Sequence, residues 1–388
     1  VSFLGERQIC RAARRQPIRR ARPHLLPTAK HHRAGGAMRW SRMRPSGRPH
    51  SNDGASMDRR QEMSLAIGVI GVGVMGSEHA RILREETSGA ELVAVCDADE
   101  ERARTEACGA RVYTDPRALI RSEHVDAVLV AAPDPLHGDL VLQCIEADKP
   151  VLCEKPLADT AAEALKVVDA EIAKGRRLVQ VGYMRRFDQP YLEMKRAIVD
   201  GEIGAPVVVH NVHRNPVAPD WFNGPMSITN AFVHEIDASR WLLDSEPVAA
   251  RVYSAGNGDP LVVVMEMAGD VIVSSEVFMN CRYGYHVHVQ VVGRAGTIET
   301  APPGCVGRNA GGYGMTAYAG NWIDRFRPAY VKQLNAWVRS IGTGTASGGA
   351  NAWDGYVTTS VAEQIVAAMD CGTSVTFAAE RYRPAMYT

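Results

Sequence analysis

This sequence has no closely spaced cysteines, no long apolar run and no net charge, and each absence removes a class of protein. Its eight cysteines (Cys10, Cys96, Cys108, Cys144, Cys153, Cys281, Cys305 and Cys371) form no C-x-x-C pair. Several fall in apolar, strand-like runs, which predicts reduced, buried thiols in a cytoplasmic protein rather than disulfides or a metal site. No stretch approaches the eighteen apolar residues of a membrane-spanning helix, and the first residues lack the apolar core of a secretory signal. The zero charge conceals an asymmetry. Fifteen Arg and Lys precede Ser64 against Glu6, Asp53, Asp58 and Glu62, an excess of +11, so the rest of the chain is mildly acidic.

What is present is an ordinary globular composition, 46% apolar and 23% charged, over 388 residues, enough for two domains with separate cores. Residues 1–62, rich in Arg, Pro, Gly and Ser without hydrophobic periodicity, are expected to be disordered. A nucleic-acid arm or a transit peptide would share that composition. The preferred reading is upstream sequence swept in by an early start, with Met57 or Met63 falling just ahead of the first strand.

From Leu65 the pattern alternates. Strands are expected at Leu65–Gly71, Leu92–Asp97, Val125–Ala132, Val151–Cys153 and Leu178–Val181, with helices at Met75–Glu86, Asp99–Cys108, Leu136–Ala147 and Thr160–Lys174. Continuous apolar strands interleaved with helices predict a parallel sheet covered on both faces, a Rossmann-type dinucleotide-binding domain over 63–187. After Tyr191 the strands crowd together (Val207–Val212, Val248–Ser254, Leu261–Met267, Val271–Phe278, His286–Val292), with Gly269-Asp270 as a tight turn. This predicts an α+β domain over 188–388 with an open, mainly antiparallel sheet, one face of which is free to meet a second subunit. Residues 301–327 are expected to form a loop over the site or toward a neighbour. Helices at Ala329–Ile341 and Asp354–Asp370 close the chain.

Gly71-Val-Gly-Val-Met-Gly76 follows a strand directly and opens a helix. In that context a G-x-G-x-x-G run allows a tight turn and close approach to a pyrophosphate at a helix N-terminus; Gly71, Gly73, Val74, Met75 and Gly76 are the candidate contacts. Asp97, ending the second strand, is placed to accept from a ribose 2′-OH and to repel a 2′-phosphate, which favours NAD over NADP. Pro133 and His137 end another strand on the same edge; His137 touches the nicotinamide ribose or merely caps a helix. Val151-Leu-Cys-Glu-Lys-Pro156 delivers Glu154 and Lys155 to a strand end, where such sheets bind ligands. Lys155 is the candidate acid/base, the alternative being a solvated surface lysine. In Asn230-Ala-Phe-Val-His234-Glu-Ile-Asp237 the spacing of four and three puts Asn230, His234 and Asp237 on one helical face, as either a site or capping and packing residues.

Together the glycine turn, Glu154-Lys-Pro156, Gly182-Tyr-Met-Arg-Arg-Phe-Asp188 and His234-Glu-Ile-Asp237 resemble the glucose–fructose oxidoreductase and inositol dehydrogenase (Gfo/Idh/MocA) family, over nearly everything from Leu65 onward. His213-Arg-Asn-Pro216 and Asn280-Cys-Arg-Tyr-Gly-Tyr285 are most similar to inositol 2-dehydrogenases within it. The resemblance implies a homotetramer of carbohydrate metabolism that uses NAD to oxidise a cyclic polyol, most of all myo-inositol to its 2-ketone. Lys155 and His234 would be catalytic, Glu154 would face the nicotinamide, and Pro156 would follow a cis peptide. Arg185, His213, Asn215, Tyr283 and Tyr285 are candidate partners for the hydroxyls of a neutral polyol. The sequence departs from the pattern at Asn230, where an aspartate is usual. An amide can orient the imidazole but cannot stabilise an imidazolium as an anion would, so His234 should be the weaker base and Lys155 should carry more of the proton transfer. A dehydrogenase for another sugar or aminocyclitol, and a sensor that binds NAD and sugar without turnover, are the alternatives.

Overall fold

The computed structural model describes residues 64–256, 258–301, 307–369, 374–377 and 382–388. The basic extension read in residues 1–62 lies outside them. Strand β1 (Leu65–Ile70) leads through the glycine turn into α1 (Val74–Glu85). There follow β2 (Ala90–Cys96), α2 (Glu100–Ala107), β3 (Arg111–Tyr113), α3 (Pro116–Ile120), β4 (Ala127–Val130), α4 (His137–Glu146), β5 (Val151–Cys153), α5 (Ala161–Lys174) and β6 (Val179–Val181). Next come α6 (Gln189–Val199), β7 (Pro206–Arg214), the short α7 (Gly224–Met226), a π-helical turn at Ser227–Phe232 and α8 (Val233–Leu243). Strands β8 (Pro247–Ser254), β9 (Leu261–Met267), β10 (Val271–Phe278), β11 (His286–Gly293) and β12 (Thr297–Glu299) precede the hairpin β13 (Gly307–Ala310) and β14 (Tyr313–Thr316). The chain then forms α9 (Trp322–Thr343), β15 (Ala350–Asn351), α10 (Ala352–Met369) and β16 (Val375–Thr376).

The first sheet has the order β15-β6-β5-β4-β1-β2-β3, parallel except where β15 meets β6. β4, β5 and β6 are buried along their whole length, as the continuous apolar runs require. From β1 the chain builds outward to β3, then crosses back to β4 on the other side of β1. That reversal opens a crevice beyond the carboxyl ends of β1 and β4, where doubly wound sheets take their ligands. Local chemistry sets the helices that surround it. Asp99 caps α2 through the Arg102 amide, and Asp115 caps α3 with Pro116 in its first turn. Thr160 caps α5, with Glu163 three residues on, and Gly175 ends that helix at φ +74°.

The second sheet has the order β12-β11-β7-β10-β9-β8-β16 and is antiparallel except for the β7–β10 pair. Burial alternates along β9, β10 and β11. Leu261, Val263, Met265, Val273, Val277, Val289 and Val291 turn inward, while Ile272 and Tyr253 on the outer face are 46% and 52% exposed. Three features differ from the sequence reading. β3, α3, α6, α7, β12, β15 and β16 were not anticipated, all but α6 because two to five residues are too few to show a period. Residues 301–327 include a hairpin and the start of α9 as well as loop. Helix α9 begins seven residues before the expected Ala329 and runs through Pro328. An interior proline costs a helix roughly 3 kcal/mol, offset here by the burial of Phe326, Ala329, Tyr330, Leu334 and Trp337 along one face.

Candidate active site

A cavity of about 1330 Å³ occupies the crevice. Its floor is the carboxyl edge of the first sheet, and its opposite wall comes from β7, the loop after it, the π-turn and α8.

The glycine turn forms one end, and its three glycines do different things. Gly71 has φ +82°, and a Cβ there would stand 2.5 Å from the Ala131 carbonyl oxygen. A Cβ on Gly76 would lie 1.8 Å from the Gly71 carbonyl oxygen, so this glycine lets α1 close onto the turn. Gly76 does not line the cavity; Gly71, Gly73, Val74 and Met75 do. At Gly73 a Cβ would meet nothing within 4 Å, so this is the point left open toward the cavity. Helix α1 has no side-chain cap and no acidic residue in its first turn, so its leading amides are free to meet an anion. Asp97 accepts from the amide of Val72 at 3.0 Å and from that of Asp99 at 3.0 Å, with Arg102 3.9 Å away. Its carboxylate thus ties the glycine turn to the start of α2 at the ribose position. An open glycine, uncapped amides and an acidic strand end are a set that fits a dinucleotide.

At the other end, Lys155 is half-buried and donates from Nζ to the Asn230 main-chain oxygen at 3.1 Å. The Lys155–Pro156 peptide is cis. Lys155, Asn230 and His234 line the same cavity as the glycine turn. His234 is 8% exposed, its ring edge-on to Tyr183 and 6.4 Å from that of His213. Burial, reinforced by Arg185, Lys155 and His213, pushes the His234 imidazole well below its ordinary range, so it is neutral at working pH.

The expectation for Asn230 needs correcting. Its side chain makes no hydrogen bond to His234, whose buried Nδ1 has no partner among the described residues. The cause is the π-turn, which widens the helix at 227–232 and breaks the i, i+4 phase between the two residues. Asp237, three residues after His234 on α8, does not line the cavity and takes the packing alternative: both its oxygens accept from Arg186, at 2.6 and 3.0 Å. His137 lines the wall, but its two ring nitrogens lie 2.7 and 2.8 Å from the carbonyl oxygens of Pro156 and Ala132, so the ring is directed at main chain on two strand-end loops, donating to one of them, rather than at a cofactor. Pro133 and Glu154 line the cavity.

Of the five hydroxyl candidates, His213, Asn215 and Tyr285 line the cavity. Asn215 Oδ1 is buried without a partner among the described residues. Arg185 and Tyr283 do not line it. Arg185 is 2% exposed and is engaged by Glu235 at 2.5 Å and His213 at 3.3 Å, one layer behind the wall. Tyr283 is 46% exposed and bonds Arg214 and His286 on the sheet surface. Trp322, in the 301–327 segment expected over the site, lines the cavity, as do Met184, Trp221, Phe222, Met279 and Tyr330, which were not singled out as contacts. Trp221, 70% exposed in a loop, is the sort of aromatic a sequence can offer as a surface contact. His79, wholly buried on α1, was also missed; it bonds Glu154 at 2.7 Å. A polar residue three places after Gly76, on the face with Ala80 and Leu83, was the available signal.

A parallel sheet with an open glycine turn, an acidic strand end and a lysine and imidazole in one crevice defines a nicotinamide-dependent dehydrogenase of the two-domain kind. Residues 65–183 match "Oxidoreductase family, NAD-binding Rossmann fold", and residues 191–299 match "GFO/IDH/MocA C-terminal domain". The chain belongs to the Gfo/Idh/MocA family of oxidoreductases. It is 48% identical to inositol 2-dehydrogenase 1 of Saccharopolyspora erythraea, covering 81% of this chain and 96% of that one. It is 41% identical to inositol 2-dehydrogenase of Paracoccus denitrificans, covering 84% and 100%. Among solved structures it is similar to myo-inositol dehydrogenase from Lactobacillus casei in complex with NAD(H) and myo-inositol, with TM-score 0.81 and 31% identity over 84% of this chain and 100% of that one.

Proposed function

We propose that this protein oxidises a secondary hydroxyl of a cyclic polyol, myo-inositol at its axial hydroxyl, to the ketone, with a cofactor domain at 63–187 and a substrate domain at 188–388. The observation that carries the reading is that Lys155 and His234 share one cavity with the glycine turn and Asp97. The similarity to inositol dehydrogenases supports the substrate class. NAD, when bound, supplies the hydride acceptor. Lys155 takes the hydroxyl proton, while the neutral imidazole of His234 bonds the same oxygen and fixes its direction. Asn230 serves through its main-chain carbonyl, which holds the Lys155 side chain across the cavity. His213, Asn215 and Tyr285 receive the remaining hydroxyls, with the unpartnered Asn215 Oδ1 as an acceptor.

The assembly we propose is a homotetramer built on the outer face of the second sheet, where exposed Ile272 and Tyr253 support a contact surface. The free thiols of Cys96, Cys144 and Cys153 suit the cytoplasm. Formation of NADH, followed by absorbance across a panel of inositols and sugars with NAD and NADP compared, tests the function. Turnover of myo-inositol with NAD is expected; activity confined to an acyclic alcohol or to an acidic sugar would contradict it.

A further inference from the structure

Between the glycine turn and Lys155 sits a carboxylate that neither takes a proton nor binds a hydroxyl in the proposed reaction. Glu154 is 7% exposed and lines the cavity. His79, at 0% exposure on the inner face of α1, meets its Oε1 at 2.7 Å. Oε2 accepts from the Lys155 amide at 3.3 Å. The seat is built around this group. A Cβ at Gly182 would stand 3.0 Å from the carboxyl carbon and from both oxygens, so a side chain there would press on the carboxylate and shift it. Tyr330 closes the other side of His79, ring edge to ring face at 5.5 Å. Nδ1 of His79 has no partner among the described residues, so Nε2, facing the carboxylate, is the ring's one hydrogen-bonding contact there. Burial pushes the Glu154 carboxyl up, but His79 and then Lys155 hold it below its ordinary range.

Burying an ion costs several kcal/mol, and a fold that builds such a seat holds a charge where a ligand will feel it. In the proposed reaction Lys155 receives the hydroxyl proton and the same carbon gives up its hydride. A nicotinamide held by the dinucleotide turn of α1 would take that hydride in the part of the cavity between the turn and Lys155. That is where Glu154 is. The hydride adds two electrons and a proton to the ring, turning a cationic nicotinamide into a neutral one, while the hydroxyl proton goes to Lys155. A fixed anion stabilises the first ring form and not the second.

We propose that the His79–Glu154 pair is a fixed negative charge that makes this site prefer oxidised to reduced cofactor, with His79 as the positioning residue that holds the carboxylate. The inference rests on the role of Lys155 proposed above. The test is to measure dissociation constants for NAD+ and NADH separately, NADH by its fluorescence and NAD+ by competition, across the pH range where the protein is folded. In Glu154→Gln the ratio Kd(NAD+)/Kd(NADH) should rise about tenfold, equivalent to about 1.4 kcal/mol. Glu154→Asp, which keeps the charge, should stay near the parent. His79→Leu should raise the ratio as pH falls, because the unsupported carboxyl takes up a proton; His79→Gln, whose amide can still donate, should restore the parent ratio.

A Glu154→Gln ratio equal to the parent's, or both constants rising by one factor, would overturn the proposal. A His79→Leu ratio that does not move at any pH would remove His79 from it. Because these are binding measurements, a protein that turned over no polyol could still show the shift, so the two readings fail separately.

Discussion

Removing the cation from the buried cluster behind α8 should both destabilise the protein and slow its chemistry. Arg186 lies in the turn after β6 and binds Asp237 through two hydrogen bonds of 2.6 and 3.0 Å and Asp354 at 3.2 Å. All three are at least nine-tenths buried. Asp237 is three residues after His234, so the cluster fixes the helix that carries the imidazole, and Asp354 joins α10 to the same point. In Arg186→Met two carboxylates are left facing each other without their shared cation; Asp354 keeps Arg240 at 3.5 Å, and Asp237 feels that same arginine without an ion pair to it among the described residues. Breaking a buried pair from one side costs about 3–5 kcal/mol, or a fall in Tm of roughly 4–7 °C for a chain of this size. Replacing Arg186 and Asp237 together by Met and Leu should recover part of that loss, since the apolar pair leaves one fewer charge unmatched.

Acid should act on the same cluster. Although burial alone would raise it, Arg186 and Arg240 hold the Asp354 carboxyl down to about 2 from 3.8, which is about 2 kcal/mol of preference for the ionised native state. The folded value is lowered, so this stability is complete above about pH 4 and is lost as pH falls toward 2. Asp237, raised by burial, contributes with the opposite sign and softens the loss. Differential scanning calorimetry with NADH turnover on the parent, single and double variants is the assay. A Tm within about 2 °C of the parent, with unchanged turnover, would refute the reasoning.

Three further outcomes follow from the cofactor end. Gly73→Val should fold with nearly the parent Tm, because a Cβ there meets nothing within 4 Å, yet bind NAD at least about tenfold more weakly by filling the approach to the pyrophosphate; Gly76→Val should lower Tm itself, since its Cβ would overlap the Gly71 carbonyl. Asp97→Ser should narrow the preference for NAD over NADP, with Arg102 near enough to receive a 2′-phosphate, and equal discrimination in parent and variant by paired Kd measurements would remove Asp97 from the ribose site.

The parts of this molecule that could be read from its sequence are those whose physics is local. β9 and β10 were placed to the residue because alternate positions face opposite sides of the sheet. The glycine turn was legible because a strand, three glycines and a helix leave few other arrangements. The misread residues depended on context. Arg185 has the donors of a substrate ligand, but Glu235, fifty residues away in sequence, claims its guanidinium first. Tyr283 and Tyr285 are neighbours on an irregular segment, and only Tyr285 turns inward. The π-turn before His234 carries no composition that marks it, so the spacing from Asn230 read as plain helix. Pro328 misplaced the start of α9 because the packing that tolerates it lies on other elements.

The central claim is that the Lys155 amine takes the proton of the alcohol whose hydride goes to NAD. It is tested most directly by Lys155→Ala, with NADH formation from myo-inositol and NAD affinity measured on the same preparation. The account predicts that kcat falls by about 10²–10⁴ while the Kd for NAD stays near the parent's, because the glycine turn and Asp97 are untouched. Turnover close to that of the parent would contradict it.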